Sequence, residues 1–228
     1  MSTTITLHTF IPVLPEILVA VMAMVIMLAD LFLSHKYKNI TYILSQLTLV
    51  VVGIIGWIYF NKENAYAFGY QFYIDNLTIL LKGFIYLITF LIFVYSRTYL
   101  EENKIPKGEY YVLTLLSMLG AMVLVSAGSL VTIYIGLELL SLPLYALIAM
   151  RRDYYPGSEA AIKYFILGAV MSALLLYGMS FIYGITGHLD IVGIAQYFSS
   201  STSDSSLISE ISPASILPYN TSKCLIRE

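Results

Sequence analysis

The residues of this chain with the greatest capacity for chemistry form a polar stripe around Glu138. The members of the stripe recur at helical spacings of four, three and four: Tyr134, Glu138, Ser141 and Tyr145. Glu138 lies about nine residues into an apolar run, which places it roughly 13 Å deep, close to a bilayer midplane. Pro143 removes a backbone hydrogen bond to the carbonyl of Leu139. The carboxylate, the hydroxyls and this freed carbonyl could together hold water.

A carboxyl group at this depth has two interpretations. A charged residue at the centre of a membrane span costs at least about 2.5 kcal/mol, so it needs a reason to be there. Glu138 is either a neutral carboxyl that links helices by hydrogen bonds, or a proton-relay site that a moving basic partner loads and unloads. The polar stripe favours the relay.

The other charged residues of the apolar runs lie nearer the ends. Lys163 is about five residues, roughly 7 Å, inside its run, and Glu159 precedes it at the spacing of a helical ion pair. A lysine there can extend its ammonium to the interface, so spacing alone favours an interfacial Lys163 over a transport residue. Lys82 is predicted to be interfacial for the same reason. The carboxylates at the ends of the runs are also predicted to be interfacial: Glu16, Asp30 and Asp75.

The sequence excludes some kinds of functional site and contains no motif for others. The single Cys224 allows no internal disulfide and no cysteine metal cluster, and the three histidines show no metal-ligand spacing. No phosphate-binding glycine loop, nucleophile with its base or haem-ligand pattern is present. A net charge of -2 offers no surface for nucleic acid. The chain is therefore predicted to hold no cofactor or metal and to bind no nucleic acid.

The elements that position these residues follow from composition. The chain has 228 residues, 59% hydrophobic and only 11% charged, which excludes an ordinary soluble enzyme. Six continuous apolar runs have the length of membrane-spanning helices. We place them at Ile11 to Leu33, Ile40 to Phe60, Asn76 to Tyr95, Tyr110 to Ser126, Ser129 to Met150 and Glu159 to Tyr183. The fold class is therefore an all-α polytopic transmembrane helical bundle.

Basic residues in the connections predict the orientation. Seven of them follow the first, third and fifth runs: Lys36, Lys38, Arg97, Lys104, Lys107, Arg151 and Arg152. The connection after the second run has only Lys62, and the amino terminus has no basic residue. Because basic loops stay in the cytoplasm, we expect the amino terminus in the periplasm or its equivalent. Residues 1–198 form the predicted transmembrane domain, and the Ser-rich segment 199–228 is predicted to be a loop or tail.

Two segments resemble a known family. They are SLVTIYIGLELLSLPLYALIAM, Ser129 to Met150, and SEAAIKYFILGAVMSALLLYGMSFIYGITGHLDI, Ser158 to Ile191. Both are similar to subunit N of the proton-pumping NADH-quinone oxidoreductase, respiratory complex I, and the likeness extends loosely over residues 11–198. The resemblance implies an antiporter-like inner-membrane subunit of about fourteen helices in inverted repeats. It also implies that Glu138 is the charge-switching glutamate and Lys163 a proton-path lysine. The expected partners are the lipid bilayer and other membrane subunits, with NADH, FMN, iron-sulfur clusters and quinone bound on or with other subunits.

The chain also departs from the family pattern. In the family a lysine in a segment resembling GLAFKLSAVPFHMW, on a broken seventh helix, pairs with the glutamate. Nothing similar follows Ser199, and Lys223 lacks that context. We therefore expect a family member that is interrupted after its sixth helix. Three hypotheses stay open: a proton-translocating complex I subunit, a truncated remnant with only a structural role, and a subunit of a multisubunit cation/proton antiporter.

Overall fold

The computed structural model describes residues 13–32, 39–59, 65–68, 71–102, 107–151 and 155–208. Seven helices and one hairpin occur in these ranges: α1 Leu14–Phe32, α2 Asn39–Tyr59, β1 Ala65–Ala67, β2 Phe72–Ile74, α3 Asn76–Glu102, α4 Lys107–Val125, α5 Leu130–Ile148, α6 Tyr155–Thr186 and α7 Ile191–Ile208. Helices α1 to α6 are long and apolar enough to cross a membrane, which confirms the six predicted spans. Helices α3 and α6 exceed their predicted lengths. The outermost residues predicted for the first two spans, 11, 12, 33 and 60, lie outside the described residues.

Helix α7 corrects the prediction that the chain is a loop from Ser199 onward. The Asp190 carboxylate accepts a hydrogen bond from the Gly193 N–H (2.7 Å), which caps the start of this helix. The hydroxyls of Ser199 and Ser200 donate to carbonyls three residues earlier, so serines continue the helix instead of ending it. Within the described ranges α7 is the one helix that does not qualify as a span. Residues 209–228 of the predicted tail lie outside the described residues.

The hydrophobic core lies among α1, α2, α3 and α4. Helix α4 contacts each of the other three and also α5, so it occupies the centre of the bundle. The largest fully buried side chains come from these helices: Val19, Ile26, Phe93, Leu100, Tyr111, Leu115 and Met122. Helix α6, by contrast, leaves most of its apolar surface open, and Ala161 and Thr186 are its buried residues within the described structure. The fold therefore places α5 and α6 at one edge of a packed four-helix unit.

Backbone hydrogen bonds join the connections on one side of the bundle. The hairpin meets the α4–α5 turn through Tyr73 N–H, which donates to the Ser126 carbonyl (2.9 Å). Leu130 N–H, at the start of α5, donates to the carbonyl of Leu189 in the α6–α7 connection (2.9 Å). The connections α2–α3, α4–α5 and α6–α7 therefore share one side, as the alternation of antiparallel spans requires. The hairpin itself has no counterpart in the sequence-based prediction.

Candidate functional site

Helix α5 positions Glu138 near its middle. The helix begins after Ser129, whose side-chain oxygen accepts a hydrogen bond from Thr132 N–H (3.2 Å). This N-cap has an extended backbone, with φ −137° and ψ 157°, and satisfies one of the free donors of the first turn. Pro143 is buried and lies within the helix without ending it. The carboxyl group therefore lies several residues from either end of an otherwise apolar helix.

The rotation of α5 is set by a close contact with α4. A Cβ atom added to Gly120 would lie 2.6 Å from the Leu139 carbonyl carbon and 2.7 Å from the Leu140 Cα. A Cβ atom added to Gly136 would lie 2.9 Å from the backbone nitrogen of Leu124. Such distances fall well inside carbon contact range, so the two backbones touch directly. Glycine at both crossing points allows this approach, as small residues do between membrane helices.

The polar stripe lies on the other side of α5. Gly136 and Pro143 are buried on the α4 side, and at 100° per residue Glu138 lies roughly opposite them. The carboxyl group is half-buried. At the end of the stripe, the Tyr145 ring meets Phe165 of α6 edge-on, with ring centroids 6.1 Å apart. The stripe therefore faces α6 and the open edge of the bundle, not the core.

The Ser141 hydrogen bond of this stripe runs to the helix backbone. The Ser141 hydroxyl donates to the backbone carbonyl of Glu138 (3.3 Å), not to its carboxylate. The carbonyl carbon of Leu139 lies against Gly120, on the α4 side. Within the described ranges, the carboxylate of Glu138 makes no hydrogen bond or ion pair. That the carboxylate, the hydroxyls and the freed carbonyl hold water together stays a prediction.

Lys163 lies on α6 in an exposed ion pair. Its Nζ is 2.5 Å from Glu159 Oε1, and the lysine side chain is 73% exposed. Gly168 contacts α5, and Ala161, two turns earlier on the same face, is buried. At 100° per residue, Lys163 falls on the opposite face. The α5–α6 contact therefore does not bring Lys163 and Glu138 together.

A second charged site lies where the sequence predicted only interfacial residues. Lys82 Nζ is 2.5 Å from Glu16 Oε1, and the two side chains are 5% and 4% exposed. The ammonium also lies 5.3 Å from the centroid of the Phe72 ring. The prediction that Lys82 extends to the lipid interface is wrong, because its side chain turns inward to Glu16. Glu16 lies in the first turn of α1, at the predicted end of the span, but it faces the bundle interior.

Helical periodicity contains a signal for this pair. Glu16 shares a buried face of α1 with Val19, Ala23 and Ile26. Lys82 shares a buried face of α3 with Thr78, Tyr86, Thr89 and Phe93. Each charge therefore lies in register with core residues, a pattern that distinguishes an inward-facing charge from an interfacial one. No cluster of three or more histidine, cysteine or acidic residues that could hold a metal occurs in the part of the chain that the structure describes.

Sequence comparisons agree with this architecture. Residues 127–215 match the family described as "NADH:quinone oxidoreductase/Mrp antiporter, TM". Residues 57–107 match "NADH-Ubiquinone oxidoreductase (complex I), chain 5 N-terminus". The chain is 50% identical over 188 residues to NADH-quinone oxidoreductase subunit N of Thioalkalivibrio sulfidiphilus, covering 82% of this chain and 39% of that protein. It is 45% identical over 206 residues to subunit N of Coxiella burnetii, covering 89% and 42% respectively.

Solved structures give the same result. A chain of respiratory complex I from Thermus thermophilus matches with a TM-score of 0.66 and 30% identity, covering 78% of this chain and 38% of that one. A chain of the membrane-bound sulfane sulfur reductase, an archaeal respiratory membrane complex, matches in fold with a TM-score of 0.71 and 23% identity, covering 81% and 39%. The chain is therefore a multi-pass membrane protein of the antiporter-like class. Within that class it belongs to the NADH-quinone oxidoreductase subunit N family, and it spans less than half the length of the curated relatives it matches.

Proposed function

We propose that this chain serves as membrane subunit N of an NADH:quinone oxidoreductase and takes part in translocating protons as electrons pass from NADH to quinone. The relatives named as subunit N, at 45% to 50% identity, support this function over that of a cation/proton antiporter subunit. The proposal places NADH, FMN, iron-sulfur clusters and quinone on or with other subunits. Its partners are the other membrane subunits of complex I and the lipid bilayer. Electron transfer in those subunits supplies the energy, and this chain supplies the proton path.

Glu138 is the charge-switching residue in this proposal. The observation that carries it is a carboxyl group in the middle of an apolar helix, on the face turned away from α4, without a partner among the described residues. An uncompensated carboxylate is costly in a low-dielectric interior, so the group takes up a proton when no cation is near. It releases the proton when a basic group approaches. Because the α4 side is closed by backbone contact, that basic group must approach from the open edge of α5.

Lys163 is a proton-path residue nearer the membrane surface. Its exposed ion pair with Glu159 lies in the early part of α6, close to the basic connection that we place on the cytoplasmic side. An ammonium in that position exchanges protons with water more readily than one at the midplane. Since Lys163 faces away from α5, transfer to Glu138 runs through water or through helices that lie beside α6.

The membrane proposed for this chain is the inner membrane, or its mitochondrial or plastid equivalent, with the amino terminus on the periplasmic side. Seven basic residues in or beside the connections after α1, α3 and α5 support this orientation, with Arg97 in the last two turns of α3 and Lys107 at the start of α4. The hydrogen-bonded layer formed by the other three connections lies on the opposite side, so it is assigned to the periplasm.

The test is Glu138→Gln in the assembled, full-length enzyme. NADH-driven acidification of inverted membrane vesicles is expected to fall sharply, because an amide cannot exchange a proton. Glu102→Gln, which neutralises an exposed carboxylate at the end of α3, is the matched control and keeps normal pumping. Native gel electrophoresis establishes that both variants assemble. Undiminished pumping by an assembled Glu138→Gln enzyme would refute the assignment.

A further inference from the structure

We propose that Glu16, Lys82 and Tyr86 form a second proton-binding site, in which one proton is shared between the Glu16 carboxylate and the Lys82 ammonium. The site lies between α1 and α3, inside the four-helix unit, whereas the Glu138 stripe lies on the far side of α5. It does not depend on the translocation role proposed above.

Burial separates this pair from an ordinary surface ion pair. The side chains of Glu16 and Lys82 are each at least nine-tenths buried, and Tyr86 follows one turn later on the same face of α3 with 7% exposure. The exposed pair of Glu159 and Lys163 has the same N–O distance, 2.5 Å. The chain therefore contains two Glu–Lys pairs of equal separation that differ in solvent access.

Low solvent access changes the balance between the charged and neutral forms of the pair. Removing two ions from water is costly, and their mutual attraction only partly offsets this cost. A proton that leaves Lys82 Nζ and bonds to Glu16 Oε1 converts the ion pair into an amine and a carboxylic acid. One N–H bond breaks, one O–H bond forms, and the net charge of the site does not change. At a separation of 2.5 Å the proton has only a short distance to move.

Two polar atoms of the Glu16, Lys82 and Tyr86 site can bind a proton or a water molecule. Glu16 Oε2 and the Tyr86 hydroxyl are both buried and make no hydrogen bond within the described structure. Tyr86 lies within electrostatic reach of the Glu16 charge. Buried polar atoms normally have a partner, so each of these two atoms is a position that suits a water molecule or a transferred proton.

Among the described residues, Lys82 and Tyr86 are the titratable side chains that face Glu16. The segments of α2 and α4 toward this side, residues 49–58 and 117–125, contain no charged residue. Phe72 from β2 covers the ammonium with its ring. Glu16 itself lies in the first turn of α1, so the site is within about one helical turn, roughly 5 Å, of the helix end. A proton therefore has a short route between this site and the side of the hydrogen-bonded connections.

The experiment is infrared spectroscopy of the complete chain in lipid nanodiscs, as a pH titration in H2O and in D2O. We expect a carboxylic-acid C=O band from Glu16 already near neutral pH, because a proton that moves within the pair leaves its net charge unchanged and needs no proton from the solvent. The band shifts in D2O and is lost in Glu16→Gln. Glu159→Gln, which alters the exposed pair at the same separation, retains that band. In Lys82→Met the Glu16 band is present at every pH, because a buried carboxyl without its cation stays protonated.

A fixed ion pair that merely holds α1 against α3 predicts a different result. In that case the wild-type chain shows no band attributable to Glu16 near neutral pH, with circular dichroism reporting intact helices, and the proposal is overturned. If Lys82→Met fails to fold, Glu16→Gln with Lys82→Met, a pair without charge, provides the reference spectrum. Subtracting it from the wild-type spectrum isolates the band, and absence of that band near neutral pH also overturns the proposal. Because the readout is spectroscopic and uses this chain alone, its failure is separate from any failure of Glu138→Gln to stop pumping.

Discussion

Replacing Gly120 by alanine tests whether the α4–α5 backbone contact holds α5 in place. The added Cβ would lie 2.6 Å from the Leu139 carbonyl carbon, and its nearest backbone neighbours include Leu140. Since carbon contacts are ordinarily about 3.5 Å or longer, the helices must separate by about 1 Å. Overpacking of this kind costs about 1–3 kcal/mol. Helix α5 has little other anchorage, because Gly136 and Pro143 are its fully buried residues within the described structure.

The measurement is the unfolding free energy in mixed micelles with increasing denaturing detergent. Gly178→Ala in α6 is the matched control, since a Cβ there meets no atom within 4 Å. Both variants replace a helical glycine by alanine and gain the same helix propensity. The difference between their unfolding free energies therefore reports the steric overlap between α4 and α5 alone. We expect Gly120→Ala to be less stable than Gly178→Ala by about 1–3 kcal/mol. Equal stability of the two variants would show that the backbones do not touch.

Two further substitutions test other parts of the fold. Lys82→Met leaves the Glu16 carboxyl buried without its partner and is expected to cost about 3–5 kcal/mol, whereas adding Glu16→Gln recovers part of that loss. A double-mutant cycle in the same unfolding assay checks this, and additive losses would contradict a coupled pair. Ser129→Ala removes the α5 N-cap and is expected to cost about 0.5–2 kcal/mol, while Ser199→Ala, on the exposed surface of α7, costs less. Equal effects of the two alanines would argue against the cap.

The sequence was sufficient for the spans and for the shared face of the polar stripe, because both depend on a single helix; the role of Glu138 stays a prediction. Apolar length alone specifies six spans, and the structure confirms them. The stripe from Tyr134 to Tyr145 follows from spacing along one helix, and the structure places those residues on one side of α5. The spacing of residues along one helix does not show which neighbouring helix each face contacts. The position of the Leu139 carbonyl on the α4 side therefore became known only from the contact with Gly120.

The features that the sequence did not reveal depend on contacts between distant segments. Lys82 and Glu16 are 66 positions apart, and their pairing requires α2 and α4, which both contact α1 and α3, to hold those two helices within side-chain reach. Composition does not specify that packing order. Depth alone predicted that Lys82 extends outward, but the neighbouring carboxylate made the inward direction more favourable. In α7, Asp190 caps the start of the helix, and the hydroxyls of Ser199 and Ser200 bond to carbonyls of the preceding turn, so the helix extends into a Ser-rich segment whose composition by itself disfavours it.

The two charge sites differ in whether the described helices complete them. Glu16 finds its counter-ion inside the unit of α1 to α4, so its charge is compensated before any further helix is added. Glu138 lies beyond that unit, on a helix whose α4 side is sealed by Gly120 and Gly136 and whose polar face looks outward. Lys163 turns away from it. In the proposed relay, a basic partner must be able to approach Glu138 and leave again. Because the α4 side is closed, the open edge of α5 is the side from which such a mobile cation can reach this carboxyl group.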